Sequence, residues 1–214
     1  MPKRVTAVVL AAGESRRMGR PKQLLPWGKT TILGQTLRNL QQSDADDILV
    51  VSGHRAEDVA SIAREHGVRT LHNPDYAEGE MLSSLQAALP HLSDTVDAVL
   101  VMLADQPLVD ATLINRILDA YRQGGGDLVA PAYRGRRGNP VLISRRYFDE
   151  VAALPWGQAP RALLRRHASD LHLVSVDSEA ILLDIDRPEE YRRRRPGTPT
   201  PDEGEGNNAD EERK

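Results

Sequence analysis

Arg16, Arg17, Arg20 and Lys22 crowd into a short stretch just after an apolar run, Val5–Leu10, that reads as a buried strand and ends in Leu10-Ala11-Ala12-Gly13. Small residues and a glycine at a strand end let an anionic ligand approach the backbone, where N–H groups meet phosphate oxygens. Arg16 or Arg17 and Lys22 add formal charge, and an arginine grips a phosphate through two parallel bonds. Carboxylates stand at comparable strand ends. Asp105 follows the apolar run Ala98–Leu103 and precedes Gln106-Pro107, where proline stops the chain from running straight on. Asp184 and Asp186 close a late run read as a strand over Ile181–Ile185, and alternation puts both on one face with Ile185 on the other. Cations beside a phosphate loop, with carboxylates at neighbouring strand ends, fit an anionic, phosphate-bearing ligand. Mg2+ neutralises such charge with one or two protein carboxylates, water and phosphate. Plainer roles remain open. The basic loop can be merely solvated, Asp105 suits a turn, and Asp186, before Arg187-Pro188-Glu189-Glu190, suits the N-cap of a final helix. No Gly-x-Gly-x-x-Gly and no Gly-Lys-Ser/Thr is present, so neither the dinucleotide fingerprint nor the usual ATPase phosphate loop applies.

Holding these groups at one rim requires a sheet. Ile48–Val51, Thr70–His72 and Ala98–Leu103 read as further strands. Helical stripes lie between them: Leu33, Leu37 and Leu40; Val59, Ile62 and Ala63; Leu82, Leu85 and Leu89; and Leu113, Ile114, Ile117 and Leu118, with Asp110 as a cap. Continuous apolar strands separated by amphipathic helices predict an α/β fold with a mainly parallel sheet covered on both faces. The strand candidates Leu128–Pro131, Val141–Ile143, Leu173–Val176 and Ile181–Ile185 have fewer helices between them, so some antiparallel pairing is expected late. Gly79 reads as opening a helix that either offers its N-terminal N–H groups and the hydroxyls of Ser83 and Ser84 to a nucleoside or simply starts there with exposed serines. Gly138-Asn139 suits a tight turn in a basic hairpin.

Composition narrows the classes. Aromatic residues are 4% of the 214, too few for platforms that stack single-stranded nucleic acid. The chain has no cysteine, which excludes disulfides, thiolate catalysis and Cys-ligated metals. Net charge is −3, and the acids concentrate beyond Pro196. Residues 1–195 are expected to form one domain and residues 196–214 a disordered acidic tail. No membrane span or signal peptide is expected near the N-terminus, which fits a cytoplasmic protein.

Leu10-Ala-Ala-Gly-Glu-Ser-Arg-Arg-Met-Gly-Arg-Pro-Lys-Gln-Leu-Leu-Pro26 closely resembles the signature of nucleotidyltransferases with a GT-A-like, three-layer Rossmann-like fold. The likeness continues through Asn73-Pro74…Gly79-Glu-Met-Leu-Ser-Ser-Leu85, Ala104-Asp105-Gln106-Pro107, Arg137-Gly138-Asn139-Pro140-Val141 and Asp184-Ile185-Asp186-Arg187-Pro188. The nearest branch it resembles is the molybdenum cofactor cytidylyltransferase family. That resemblance implies transfer of CMP from CTP to molybdopterin or the molybdenum cofactor, with pyrophosphate released, and Ala11-Ala12 before the glycine favours cytidine over guanosine. It implies Lys22, Arg17 and Asp105 as catalytic. Leu10, Ala11, Ala12, Gly13, Arg16, Lys22, Asn73, Gly79, Ser83 and Ser84 would bind nucleotide, and Gly138, Asn139, Pro140 and Arg161 the acceptor. Mg2+ would sit on Asp105, Asp184 and Asp186. A molybdenum hydroxylase or its maturation chaperone would receive the product. Some similar sequences are described as oxidoreductases, but no hydride site is evident here. The chain departs from the family at Gln158, where Asp is expected, and Pro160, where Gly is expected. That leaves room for another phosphorylated acceptor, or for a non-catalytic carrier of the cofactor.

Overall fold

The computed structural model describes residues 3–156 and 161–197. In chain order its strands are β1 (Val5–Ala11), β2 (Pro26–Trp27), β3 (Thr30–Thr31), β4 (Asp47–Ser52), β5 (Arg69–His72), β6 (Ala98–Leu103), β7 (Leu128–Tyr133), β8 (Arg136–Arg137), β9 (Val141–Ser144) and β10 (Leu171–Ser175). The helices are α1 (Ile32–Gln41), α2 (Ala56–Glu65), α3 (Tyr76–Ala88), α4 (Ala111–Arg122), α5 (Phe148–Ala153), α6 (Arg161–Arg166) and α7 (Pro188–Arg194). The main sheet runs β10-β7-β9-β6-β1-β4-β5, with β8 paired to β7.

β1 is buried from end to end, and its apolar sequence has the continuity of a strand covered on two faces. Val5, Ala7, Val9 and Ala11 pack with α1, α2 and α4, while Val8 and Leu10 pack on the other face with α3, α5 and α6. The result is a three-layer α/β/α sandwich. Each buried leucine or isoleucine of the α4 stripe contributes about 1.5–3 kcal/mol, and Leu113, Ile114, Ile117 and Leu118 are all buried. Asp110 caps that helix, its carboxylate accepting from the Leu113 amide at 2.8 Å. The late antiparallel pairing is supplied by β9, which lies between β6 and β7 and runs against both. β4, β5 and β6 run parallel with β1 or with its neighbour, so their carboxyl ends share a rim.

The structure corrects four local readings. Residues 181–185 are not a strand. Glu179–Leu182 is a turn of 3-10 helix, and the chain from Leu183 to Asp186 is irregular. The alternation nonetheless holds, because Ile185 is fully buried in a small core with Met18, Leu25, Trp27, Ile32 and Tyr191. The third helix begins at Tyr76, three residues before Gly79, whose amide is spent on the Asp75 carbonyl at 3.0 Å. The hairpin turn is Arg134-Gly135, both at positive φ, rather than Gly138-Asn139. Asp186 does not cap α7; Arg187 stands at that position, and Glu190 accepts from the amides of both Asp186 and Arg187 at 3.0 Å. Gln158, Pro160 and the tail from residue 198 lie outside the described residues.

Candidate active site

Two clefts open at the carboxyl rim of the sheet and share one wall. The first, about 390 Å³, is lined by Leu10-Ala11-Ala12-Gly13, by Glu14, Ser15 and Arg16, and by Tyr76, Met81 and Ser84. The second, about 470 Å³, is lined by Arg137, Gly138, Asn139, Arg161, Asp184 and Asp186 above an aliphatic floor. Lys22 and Asp105 face both.

The loop after β1 is built to present backbone. Ser15 sits in the left-handed region, and its hydroxyl accepts from the Lys22 amide at 3.0 Å. That hydroxyl also donates to Gln23, whose buried amide reaches back to the carbonyls of Ala11 and Gly13. The amides of Gly13, Glu14 and Ser15 donate to nothing among the described residues, which leaves them available to phosphate oxygens. Gln23 was not legible as part of this loop, since a lone glutamine carries no spacing signal.

The basic cluster divides. Lys22 alone bridges two rim carboxylates, its ammonium ion-paired with both Asp105 and Asp186. Arg17 reaches Asp186 at 3.3 Å from an exposed position, and exposed Arg16 pairs with Glu14 at 2.6 Å. Tertiary bonds explain how the distant carboxylates meet. The Ala104 amide donates to the Leu10 carbonyl at 3.2 Å, so Asp105 stands beside the first loop. The Ile185 amide donates to the Asp105 carbonyl at 3.1 Å and brings Asp184 and Asp186 to the same place. Buried Gln106 donates to Asp184 at 2.7 Å. The hydroxyl of Tyr191 donates to the Pro26 carbonyl at 2.7 Å, tying α7 to the strand that follows Lys22.

Burial works against the Lys22 charge, but Asp105 and Asp186 outweigh it and hold its pKa above the usual lysine value. Burial pushes the Asp105 carboxyl up, against the pull of Lys22. Asp184 is pushed from its ordinary 3.8 to about 6 by burial and by the Asp105 charge, although the Gln106 bond opposes this. The folded chain thus holds that proton more tightly than the unfolded chain does. The contribution of Asp184 to stability is therefore full below its ordinary value and is lost as pH rises through about 6. Asp184→Asn keeps an acceptor for Gln106 and removes the charge. Its melting temperature at pH 8 is expected to equal or exceed that of the unsubstituted chain, with a flatter profile between pH 4 and 6. A variant that melts lower at pH 8 contradicts the account.

Several expected residues lie elsewhere. Asn73, Ser83 and Ser84 are buried, and the Asn73 amide donates to both hydroxyls at 2.9 and 3.0 Å. They form a clamp beneath the first cleft; of the three, Ser84 alone lines it. Gly79 is buried inside the helix, where an added Cβ would fall 2.2 Å from that of Ser83. Arg17 and Pro140 line neither cleft. Gly138 lines the second cleft, but its glycine identity is set from behind, since a Cβ would lie 2.2 Å from the Ile181 carbonyl oxygen. Gly138→Ala is therefore expected to push back the segment that carries Asp184 and Asp186. A stability loss of about 1–3 kcal/mol by denaturant titration, together with reduced turnover, checks this; an unperturbed variant refutes it. Tyr76, Met81 and Arg137 line the clefts and were missed, because single residues of these types are usually core or solvated surface. Among the described residues, no group of three or more His, Cys, Asp or Glu side chains forms a ready-made metal cage, so Asp105, Asp184 and Asp186 do not assemble as one.

Residues 7–171 match the MobA-like NTP transferase domain. The chain belongs to the MobA-like NTP transferase family. As a member it is a nucleotidyltransferase. It is 29% identical over 191 residues to the molybdenum cofactor cytidylyltransferase of Escherichia coli (strain K12), covering 87% of this chain and 93% of the relative. It is 30% identical over 198 residues to the nicotine blue oxidoreductase of Paenarthrobacter nicotinovorans, covering 88% and 95%. The crystal structure of Rv0371c from Mycobacterium tuberculosis H37Rv in complex with manganese superposes with a TM-score of 0.73 at 30% identity, over 89% of this chain and 97% of that one. No described helix of this family member is long and apolar enough to cross a membrane.

Proposed function

We propose that this nucleotidyltransferase moves CMP from CTP to the phosphate of molybdopterin or the molybdenum cofactor. The carrying observation is the wall of Lys22 and Asp105 that two clefts share. A donor in one and an acceptor in the other meet there without a covalent enzyme intermediate. The small-residue loop with its open amides suits the triphosphate, and the E. coli relative supports cytidine and the cofactor. An acceptor phosphate oxygen attacks the α-phosphorus, the bond to the bridging oxygen breaks, and pyrophosphate leaves with that electron pair. Lys22 stabilises the added negative charge, and the shared wall positions the two reactants.

The carboxylates fit a hard divalent ion, because Asp105 and Asp186 already converge on one cation, the Lys22 ammonium. Magnesium or manganese held by Asp105 and Asp186, with Asp184 adjacent, would supply neutralisation of the phosphates. The manganese complex of the similar mycobacterial protein supports this.

The test offers CTP, GTP, UTP and ATP in turn with molybdopterin and Mg2+, and follows pyrophosphate release and product mass. Pyrophosphate with CTP and a product heavier by CMP is expected. Release of no pyrophosphate with any triphosphate refutes the proposal in favour of a carrier. A product only with sugar or polyol phosphates shifts the acceptor.

A further inference from the structure

The wall that the two clefts share has an apolar part as well as a polar one. Beside Lys22 and Asp105, it is made of Leu10, Leu103 and Met81. Met81 reaches it from α3, where Ala77, Met81 and Ser84, at i, i+4 and i+7, turn one face to the first cleft. Leu82 and Leu85 of the same helix are buried in the core, whereas Met81 is 45% exposed. The other described methionines are shut away. Met18 is 7% exposed in the small core with Trp27 and Tyr191, and Met102 of β6 is 0% exposed. Among the described residues, Met81 is therefore the one sulfur open to a dissolved oxidant, and the chain has no cysteine to take that oxidant first.

We propose that Met81 is an oxidation site that shuts the enzyme down: hydrogen peroxide converts its thioether to the sulfoxide, and the sulfoxide spoils the wall where donor and acceptor meet. This rests on the two-cleft reading of nucleotidyl transfer above. In the step, the peroxide O–O bond breaks and a sulfur–oxygen bond forms. The sulfur gives up two electrons, the peroxide accepts them, and water leaves with both hydrogens. A flexible apolar side chain becomes a polar one with an acceptor oxygen. Leu10 and Leu103 beside it offer no donor, and the phosphates that enter either cleft are themselves acceptors. Lys22 is the charged donor on that wall, already ion-paired with Asp105 and Asp186. A sulfoxide that drew it off would take it from the triphosphate. An oxygen left unpaired under a bound substrate weakens that bound state by about tenfold.

The experiment treats the folded full chain with hydrogen peroxide, maps oxygen uptake by peptide mass, and follows pyrophosphate release from CTP with molybdopterin in the same samples. Met81 is expected to gain one oxygen before Met18 and Met102, and CTP with Mg2+ bound beforehand is expected to slow that gain. Turnover is expected to fall about tenfold as Met81 converts. Methionine sulfoxide reductases for both epimers, with dithiothreitol as reductant, are expected to restore it. Met81→Leu conserves volume without an oxidisable sulfur, and against its own untreated rate it is expected to keep its turnover through the same exposure. Oxygen on Met18 or Met102 first overturns the proposal. So does full conversion of Met81 with turnover unchanged, or an equal loss of turnover in the leucine variant. If the untreated chain releases no pyrophosphate, the cytidylyl reading fails by itself, and triphosphate binding by thermal shift, taken before and after oxidation, decides the effect of Met81.

Discussion

Replacing Lys22 with alanine is expected to lower pyrophosphate release by about a hundredfold to a thousandfold while tightening the binding of manganese in the absence of nucleotide. The two effects have one cause. In the free chain the ammonium lies between Asp105 and Asp186, at the point where both carboxylates converge. On the function proposed above, a divalent ion entering there displaces it and Lys22 turns to the triphosphate. Asp105 is buried, so removing the lysine leaves a carboxylate charge without compensation and destabilises the variant. Manganese repairs that deficit, so it should raise the melting temperature of Lys22→Ala more than that of the unsubstituted chain. Thermal shifts with and without manganese, read beside a turnover assay, check both halves. Equal manganese shifts in the two proteins would mean that the ammonium does not compete with the metal.

Asp105→Asn is expected to abolish measurable turnover, a loss of at least about a hundredfold, with the fold intact. Asparagine fills the same volume, and Lys22 keeps its contact with Asp186. The fold has no need of the charge, because burial already opposes it. The melting temperature above pH 7 should therefore stay level or rise. Nucleotide transfer at the unsubstituted rate removes Asp105 from the reaction. A collapse of stability would instead make Asp105 a structural anchor. Kinetics on folded protein separates these outcomes.

The parallel core was readable because burial on both faces forces a strand to be apolar throughout. Val5–Ala11 and Ala98–Leu103 carry that pattern over enough residues to stand out. The irregular chain over Leu183–Asp186 misled in one respect only. Its alternation comes from Ile185 anchoring in a small core, and an anchored extended segment has the same period as a strand. Gly79 and Gly138 were recognisable as special, but not why. A glycine demanded by a neighbour's backbone or side chain looks the same in sequence as one demanded by a turn.

Sequence alone determined the sandwich and the small-residue loop at the end of the first strand, and it singled out Asp105, Asp184 and Asp186, since strand burial and residue chemistry are local properties. The tertiary structure alone decided that Lys22, rather than the arginines around it, bridges Asp105 and Asp186, and that Asn73 and the serines brace the first cleft from below. It also decided that Arg137 joins Arg161 across the second. These depend on hydrogen bonds and packing between residues far apart in the chain, such as Ile185 with Asp105 across the rim. Such contacts leave no periodicity behind, because each is made once, by one pair, after the sheet has closed around them.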